Sequence, residues 1–411
     1  MAWEKVKLGD IADVTSSKRV FANQYVDKGI PFYRQKEIIE RNNKQEISDP
    51  LFISQDLYDD IKKKYGVPQK NDLLITGVRA TLGIPYVIGN ETFYFKDGNL
   101  IWVKNFSSKA NPKYIYYYMS SDAGQKAMWS RTIGAAQPAL TIDIVKQYEI
   151  PLPDIKIRKR IADILSAYDN LIENNQKQIK LLEEAAQRLY KQWFIDLRYP
   201  GHETTKIVDG LPEGWRKVTL GSALSKITTG LNPRKNFVLG QGKNFYVTIK
   251  NMGDNNIYLD DKCDRVNDEA LEKINKRSDL KTGDILFSGI GTIGRVYLID
   301  IPTNNWNVSE SVFTMRVNEC VSKEFLYLML LSDDVQSYCD LHAHGVAQRG
   351  IRMADLKEYK FVLPENKIID SFTTMVEPII EKTQILRKSI NSAAESRDRL
   401  LPKLMNGELE I

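Results

Sequence analysis

The sequence predicts an α+β fold: two tandem α/β domains separated by long antiparallel coiled-coil helices and related by a pseudo-twofold internal repeat. Three observations predict it. The chain is written twice, each copy closes on an apolar heptad, and the front of each copy alternates short β-rich runs with glycine and asparagine punctuation.

The repeat comes first. Trp3-Glu4-Lys5-Val6-Lys7-Leu8-Gly9 returns as Trp215-Arg216-Lys217-Val218-Thr219-Leu220-Gly221, an offset of 215 − 3 = 212. Phe32-Tyr33 returns one residue out of step as Phe245-Tyr246. Asp72-Leu73-Leu74-Ile75-Thr76-Gly77 matches Asp284-Ile285-Leu286-Phe287-Ser288-Gly289, again at 212. Gly134-Ala135-Ala136-Gln137 matches Gly345-Val346-Ala347-Gln348 at 345 − 134 = 211. Lys146, Tyr148, Leu152 and Pro153 then pair with Lys357, Tyr359, Leu363 and Pro364, and Arg188-Leu189 with Arg399-Leu400. An offset this steady along the whole chain marks a duplicated unit. The boundaries that follow are 1–153 for the first globular domain and 154–200 for a helical spacer. A linker plus the second domain occupies 201–364, and a second spacer 365–411.

Within the first domain, Leu73-Leu74-Ile75, Tyr86-Val87-Ile88 and Leu100-Ile101-Trp102-Val103 read as strands. Residues 112–128 read as helix, with Ile115, Tyr116, Met119 and Ala123 at helical spacing. The first spacer places Ile161, Leu165, Tyr168, Ile172, Asn175, Ile179, Leu182, Ala186, Leu189 and Trp193 at steps of four and three. That is a coiled-coil seam, with Asn175 as its single polar member fixing register. The second spacer is rougher: Phe372, Met375, Ile379, Leu386, Ile390, Ala393, Leu400 and Leu404 are interrupted by Lys382, Ser389 and Arg397. Pro378 and Pro402 are expected to kink or end that helix. A sustained seam needs a partner helix, and the other copy supplies one.

Composition narrows the class. With 411 residues, 27% charged and 42% hydrophobic, the chain is a folded protein of at least two domains. A net charge of +5 is too mild to mark a nucleic-acid binder unaided. Cys263, Cys320 and Cys339 are odd in number and widely spaced, which points to buried fillers in a reducing compartment. No stretch has the pattern of a signal peptide or a membrane span, so a cytoplasmic location is expected.

The ordered blocks resemble the specificity subunits of type I restriction–modification systems. The resemblance covers essentially the whole chain. It rests on Trp-x-x-Val-x-Leu-Gly at Trp3 and Trp215, on Leu211-Pro212-Glu213-Gly214-Trp215, on 134–137 with its repeat, and on Ile150-Pro151-Leu152-Pro153 and Val362-Leu363-Pro364 leading into helices. It implies two target-recognition domains, each reading one half of a split, asymmetric site in double-stranded DNA. The helices then act as a ruler and dock two methyltransferase subunits, through which motor and nuclease subunits join. The resemblance implies no cofactor on this chain. S-adenosylmethionine, ATP and Mg2+ are expected on the partner subunits. Rival readings are a specificity subunit serving a fused methyltransferase–nuclease, and a helical adaptor that binds only proteins.

Candidate DNA contacts sit in polar loops beside the matched blocks. In the first domain they are Arg34, Gln35 and Lys36, then Arg79 and Thr81, then Arg131 and Gln137. In the second they are Thr248, Lys250 and Asn251, then Thr292 and Arg295, then Gln348, Arg349 and Arg352. Arginine can hold guanine in bidentate fashion, glutamine and asparagine can hold adenine, and lysine and arginine supply phosphate contacts. Gln137 and Gln348 are shared by both copies, so they cannot distinguish two half-sites. The diverged 34–36 and 248–251 segments are the better specificity candidates. For the rod interface the candidates are Ile161, Leu165, Ile172, Asn175, Ile179, Leu182, Leu189, Trp193, Leu386, Ile390, Leu400 and Leu404. Tyr190, Phe194 and Met405 at the helix ends are candidates for partner contact or core packing.

Catalytic signals fail one by one. Gly289-Ile290-Gly291-Thr292-Ile293-Gly294 spells a dinucleotide fingerprint, but Arg295-Val296-Tyr297-Leu298-Ile299 continues as strand, so the pattern is a β-turn-β loop. No phosphate-binding G-x-x-x-x-G-K-[ST] motif occurs, nor the Asn/Asp-Pro-Pro-Tyr/Phe motif of amino-methyltransferases. Pro153-Asp154 and Pro364-Glu365 read as helix starts rather than nuclease residues. His342 and His344 read as a polar loop pair, and Lys62-Lys63-Lys64 as a solvated helix face.

Overall fold

The computed structural model describes residues 3–43, 45, 47–78, 81–132, 139–253, 255–345 and 349–409. Two compact units emerge, and they do not follow chain order: residues 1–174 with 389–411 form one, residues 175–388 the other. Each unit therefore combines one globular domain with a stretch of both long helices.

In the first unit, β1 (Glu4–Lys7) pairs antiparallel with β10 (Glu149–Leu152), closing the domain at its two chain ends. A four-stranded sheet follows the order β2 (Asp13–Thr15), β9 (Leu100–Lys104), β6 (Leu73–Thr76), β7 (Pro85–Val87). A second has the order β3 (Tyr25–Val26), β5 (Leu51–Ile53), β4 (Ile30–Tyr33), β8 (Tyr94–Phe95). The helices are α1 (Gln35–Asn42), α2 (Gln55–Tyr65), α3 (Pro112–Ser120), α4 (Asp122–Trp129) and α5 (Ile142–Lys146). The apolar run of β6 has a simple cause. Successive side chains point to opposite faces, and both faces are covered: Leu73 and Ile75 enter the core shared with α3, while Leu74 enters the core of Tyr33, Phe95 and Trp102.

The second unit repeats this plan. Here β13 (Arg216–Thr219) pairs with β23 (Lys360–Leu363). The order β14 (Leu224–Thr229), β22 (Val312–Val317), β19 (Ile285–Ser288), β20 (Val296–Leu298) reproduces the first sheet. In it Ile285 and Phe287 face one core and Leu286 the other. β18 (Asp264–Val266), β15 (Asn244–Val247) and β21 (Trp306–Val308) stand for β5, β4 and β8. The repeat extends to single bonds: Leu8 N donates to Tyr148 O at 2.8 Å, and Leu220 N to Tyr359 O at 2.8 Å. Helices α7 (Asp268–Ser278), α8 (Lys323–Leu330), α9 (Asp333–Leu341) and α10 (Met353–Lys357) occupy the places of α2 to α5. Where the first domain has α1, however, the second has a 3-10 turn at Ile249–Asn251 and a hairpin of β16 (Met252–Gly253) with β17 (Asn256–Ile257). A further hairpin, β11 (Ile207–Val208) with β12 (Leu211–Pro212), precedes β13.

Residues 112–128 form two helices rather than the single one expected. The break falls at Ser121, whose hydroxyl donates to Tyr118 O at 2.7 Å and accepts from Gly124 N at 3.2 Å, capping α4. A Cβ at Gly124 would lie 1.9 Å from Tyr118 O, so only glycine permits that close approach. Cys263 and Cys339 are buried free thiols, pushed up to about 11 and about 12 by desolvation.

The long helices are α6 (Ile155–Tyr190), continued by a π turn at Lys191–Ile195, and α11 (Asn366–Met405). Asp154 starts α6 by accepting from Lys156 N at 2.8 Å. The seam predicted for α6 is buried or half-buried at every position, Asn175 among the buried ones. For α11 the expectation needs correcting twice. The helix runs through Pro378 and Pro402, because both rings lie on its exposed face while Phe372, Val376, Ile380, Leu404 and Met405 are buried around them. Its seam is also unbroken: Phe372, Val376, Ile379, Thr383, Leu386, Ile390, Ala393, Arg397, Leu400 and Leu404 step by four and three, and Met375 is exposed. Two polar members hid that register. Thr383 satisfies its own hydroxyl by donating to Ile379 O at 2.8 Å. Arg397 is held by a carboxylate on α6.

Inside each unit the two helices pair antiparallel. In the first, Ile161 and Leu165 share a core with Leu404 and Met405, and Asp169 bridges Arg397 at 2.7 Å. In the second, Glu183 pairs with Arg387, and Trp193 and Phe194 pack on Phe372 with ring centroids 5.5 and 4.7 Å apart. Breaking a half-buried, hydrogen-bonded ion pair strands the surviving charge, at a cost of about 1–3 kcal/mol. Arg397→Ala and Asp169→Ala are each expected to lower the thermal midpoint. The double mutant should lose less than the sum of the two, as a double-mutant cycle by calorimetry will show.

Candidate DNA-recognition surface

Three segments far apart in sequence converge at one end of the β6–β7 hairpin. Between the two strands Gly83 N donates to Thr76 O at 2.7 Å, and Thr76 Oγ1 accepts from Ile84 N at 2.9 Å. From α1, Gln35 Nε2 donates to Val78 O at 2.9 Å and to Thr81 Oγ1 at 2.7 Å. From the segment before α5, Leu140 N donates to Gly77 O at 2.8 Å, and Val78 bridges Ala139. Beside this junction lies a cleft lined by Arg34, Gln35, Lys36, Thr81, Lys96 and Asn99. Gln35 Oε1 is buried there with no partner among the described residues.

The second domain brings together the same three segments by different means. Gly294 N donates to Ser288 O at 3.0 Å, and Ser288 Oγ donates to Thr292 O at 2.6 Å while accepting from Arg295 N at 2.8 Å. Arg295 Nη1 reaches Ile249 O at 3.2 Å and also Met252 O, tying the 248–252 turn to the loop. Gly291 N donates to Arg349 O at 2.7 Å and Ile351 N to Gly289 O at 2.8 Å. The glycine-rich stretch is thus a hairpin loop between β19 and β20, as its continuation into strand predicts.

A brace that the sequence reading missed underlies both hairpins. Gln125 Nε2 donates to Gly83 O at 2.9 Å and Met119 O at 2.6 Å; Gln336 Nε2 donates to Gly294 O at 3.1 Å and Leu330 O at 2.7 Å. The signal was available, because these glutamines stand at the same offset of 336 − 125 = 211. Lys96 and Asn99 were also missed. Lys96 reaches the cleft through the parallel pairing of β8 with β4, and Asn99 through its carbonyl, which accepts from Gly77 N at 2.8 Å; no local pattern reveals either.

The sequence-predicted residues fall into two groups. Several cations and polar groups are already engaged. Arg34 grips Glu37 and Asp49, the latter at 2.9 Å, and both carboxylates raise its pKa. Arg131 donates to Gln147 O at 2.8 Å and lies 3.2 Å from Glu149. Asn251 is buried, its Oδ1 accepting from Thr248 N at 3.0 Å and Thr248 Oγ1 at 3.1 Å. With Arg295, these side chains shape the surface. Lys36, Lys250, Thr292 and Arg352 stand exposed, and Arg349 is exposed while donating to Asp340 O at 2.8 Å. Arg79, Gln137 and Gln348 lie outside the described residues.

The rod candidates are placed as seam residues, and Tyr190, Trp193 and Phe194 lie in the core of the second unit with Trp215 and Phe325. His342 stacks on Tyr338 at 3.9 Å, and His344 faces Asp355 at 3.3 Å. Among the described residues no cluster of histidine, cysteine and carboxylate groups could hold a metal ion, and no helix is long and apolar enough to cross a membrane.

Comparison with known proteins agrees with this architecture. The family model described as the type I restriction modification DNA specificity domain matches residues 2–184 and again 212–392. The chain is 28% identical to the type I restriction enzyme MjaIX specificity subunit of Methanocaldococcus jannaschii, over 73% of this chain and 69% of that one. It is 25% identical to the HindI specificity subunit of Haemophilus influenzae over 99% of each. The crystal structure of the type I restriction–modification S subunit from M. genitalium shares the fold with a TM-score of 0.63 at 15% identity, covering 98% of this chain and 96% of that one. Matched twice by one family model, at the two copies its own repeat defines, the chain belongs to the type I restriction–modification DNA specificity family.

Proposed function

We propose that this chain is the DNA-reading subunit of a type I restriction–modification complex and carries no catalytic site of its own. Each domain reads one half of a split, asymmetric site, and the paired helices fix the gap. Two methyltransferase subunits dock on the chain and bring in the motor and nuclease subunits. S-adenosylmethionine, ATP and Mg2+ act on those partners.

One observation carries the reading. Both domains build the same three-segment junction, yet the segment facing the hairpin loop is helix α1 in one and a turn with a hairpin in the other. A shared frame presenting unlike polar groups is what two different half-sites require, since base edges are told apart by donor and acceptor pattern. Braced arginines such as Arg34 and Arg295 hold the frame, and exposed Lys36, Lys250 and Arg352 supply phosphate contacts.

A long-read map of methylated adenines in the source strain, with and without the gene, tests the proposal. Deletion is expected to erase one split motif. An unchanged methylome with intact, expressed partner genes would overturn it. Inserting one heptad within 161–193 should lengthen the gap and leave both half-sites intact, and exchanging residues 1–153 should alter one half alone. In the assembled complex, Lys250→Ala and Arg352→Ala should each flatten the log–log salt dependence of DNA binding by about 0.9. Arg295→Ala should instead lower the thermal midpoint, by about 1–3 kcal/mol of stability, because two turn carbonyls lose their donor.

A further inference from the structure

The first domain carries a second surface that the proposed function does not use. The 3-10 turn at Ala22–Gln24 packs on α2, leaving a groove lined by Lys18, Phe21, Ile61, Lys64 and Tyr65, with Arg19 at its rim and Asp60 on its wall. Two large rings stand open here: Phe21 is 60% exposed and Tyr65 is 52% exposed. Lys18 Nζ lies 5.3 Å from the centre of the Tyr65 ring. Such rings gain nothing from water, and a cation over an aromatic face keeps its charge available to an anion.

A short chain of contacts links the rim of the groove to the cleft. Arg19 Nε holds Asp97 at 2.8 Å, and Lys96, the residue before Asp97, donates its N–H to Tyr33 O at 2.8 Å and lines the cleft with Arg34 to Lys36. In the second domain the same place, a 3-10 turn at Pro233–Lys235 on α7, again carries exposed cations. Arg234 and Lys235 are open to solvent, and Lys273 donates to Asn236 O at 3.0 Å. Among the described residues no exposed ring accompanies them, and the half-buried Phe237 packs against the core beneath α7.

We propose that this turn-on-helix ledge grips the DNA backbone flanking the first half-site, with Lys18 and Lys64 on phosphates and the rings of Phe21 and Tyr65 against deoxyribose. The inference rests on the DNA-reading assignment. A grip of this kind adds affinity without sequence information, since phosphate and sugar contacts position a protein while base contacts specify. The second domain holds its flank by charge alone.

The test uses the assembled methyltransferase complex, titrated with salt against a duplex carrying the methylated motif and a length-matched duplex without it. Lys18→Ala/Lys64→Ala should weaken binding to both duplexes alike and flatten the salt slope by about 1.8, about 0.9 per lost phosphate contact. Phe21→Ala/Tyr65→Ala should weaken binding about tenfold with the slope unchanged, as lost apolar contact does. Both variants should keep the methylation motif and, being altered at the surface, the wild-type thermal midpoint. Wild-type affinity and slope in both variants would overturn the ledge while leaving the specificity reading intact. Normal DNA binding with failed recruitment of the motor–nuclease subunit would place a protein there instead. A wild-type complex that cannot distinguish the two duplexes would remove the reading on which the ledge rests.

Discussion

Everything in this protein depends on the antiparallel pairing of one copy's helix with the other's. A heptad seam cannot be buried by its own domain alone, so each globular domain completes its core with residues from the distant copy. Leu404 and Met405, at the far end of the chain, sit in the core of the first domain beside Ile161 and Leu165. Tyr190, Trp193 and Phe194 from the first copy's helix occupy the corresponding place in the second. Burying a leucine or methionine side chain is worth about 1.5–3 kcal/mol. Each half of the sequence therefore leaves part of its core to be supplied by the other.

The helix pair is joined to each domain by charge as well as by apolar packing. In the first unit, Asp169 accepts from Tyr117 on α3 and from Arg397 on α11, so one carboxylate ties three elements. In the second, Glu183 accepts from Asn255 at 2.9 Å and from Arg387, which lies against buried Tyr327 on α8. These joints are directional where apolar contact is not. A helix pair can slide by a turn and still bury leucine, but an arginine facing the wrong residue leaves a half-buried charge unpaired. The joints thus specify register, the quantity on which a fixed spacing between half-sites would depend.

How much of this was legible in the sequence depended on whether the signal was local. The repeat, the strands β6, β7 and β9 and the first seam follow from spacing alone, and the structure has them. The second seam was misread because Arg397 and Thr383 are polar by composition but satisfied in place, one by Asp169 and the other by the carbonyl a turn before it. Pro378 and Pro402 were misread because their local cost was weighed without the buried stripe on the opposite side of the helix. Within the candidate site, the loops were found from glycines and polar residues beside matched blocks. The bracing role of Arg34 was not, since its partner Asp49 lies beyond α1 and is brought near only by tertiary structure.

That distinction bears on how recognition diverges between the copies. The hairpin loop is held from below by Gln125 or Gln336 and from one side by Gly77 or Gly289, bonds that are the same in both domains. Its other flank is held by Gln35 reaching out from α1 in one domain, and by Arg295 reaching back to the turn in the other. The direction of the brace has reversed while the junction it makes is kept. A frame fixed on two sides can change its third without losing the loop, because the carbonyls that need donors accept them from either direction. The third side is a helix in one domain and a turn with a hairpin in the other, and it carries exposed Lys36 in one and exposed Lys250 in the other. A difference on the third side therefore leaves in place the bonds that hold the loop on the other two.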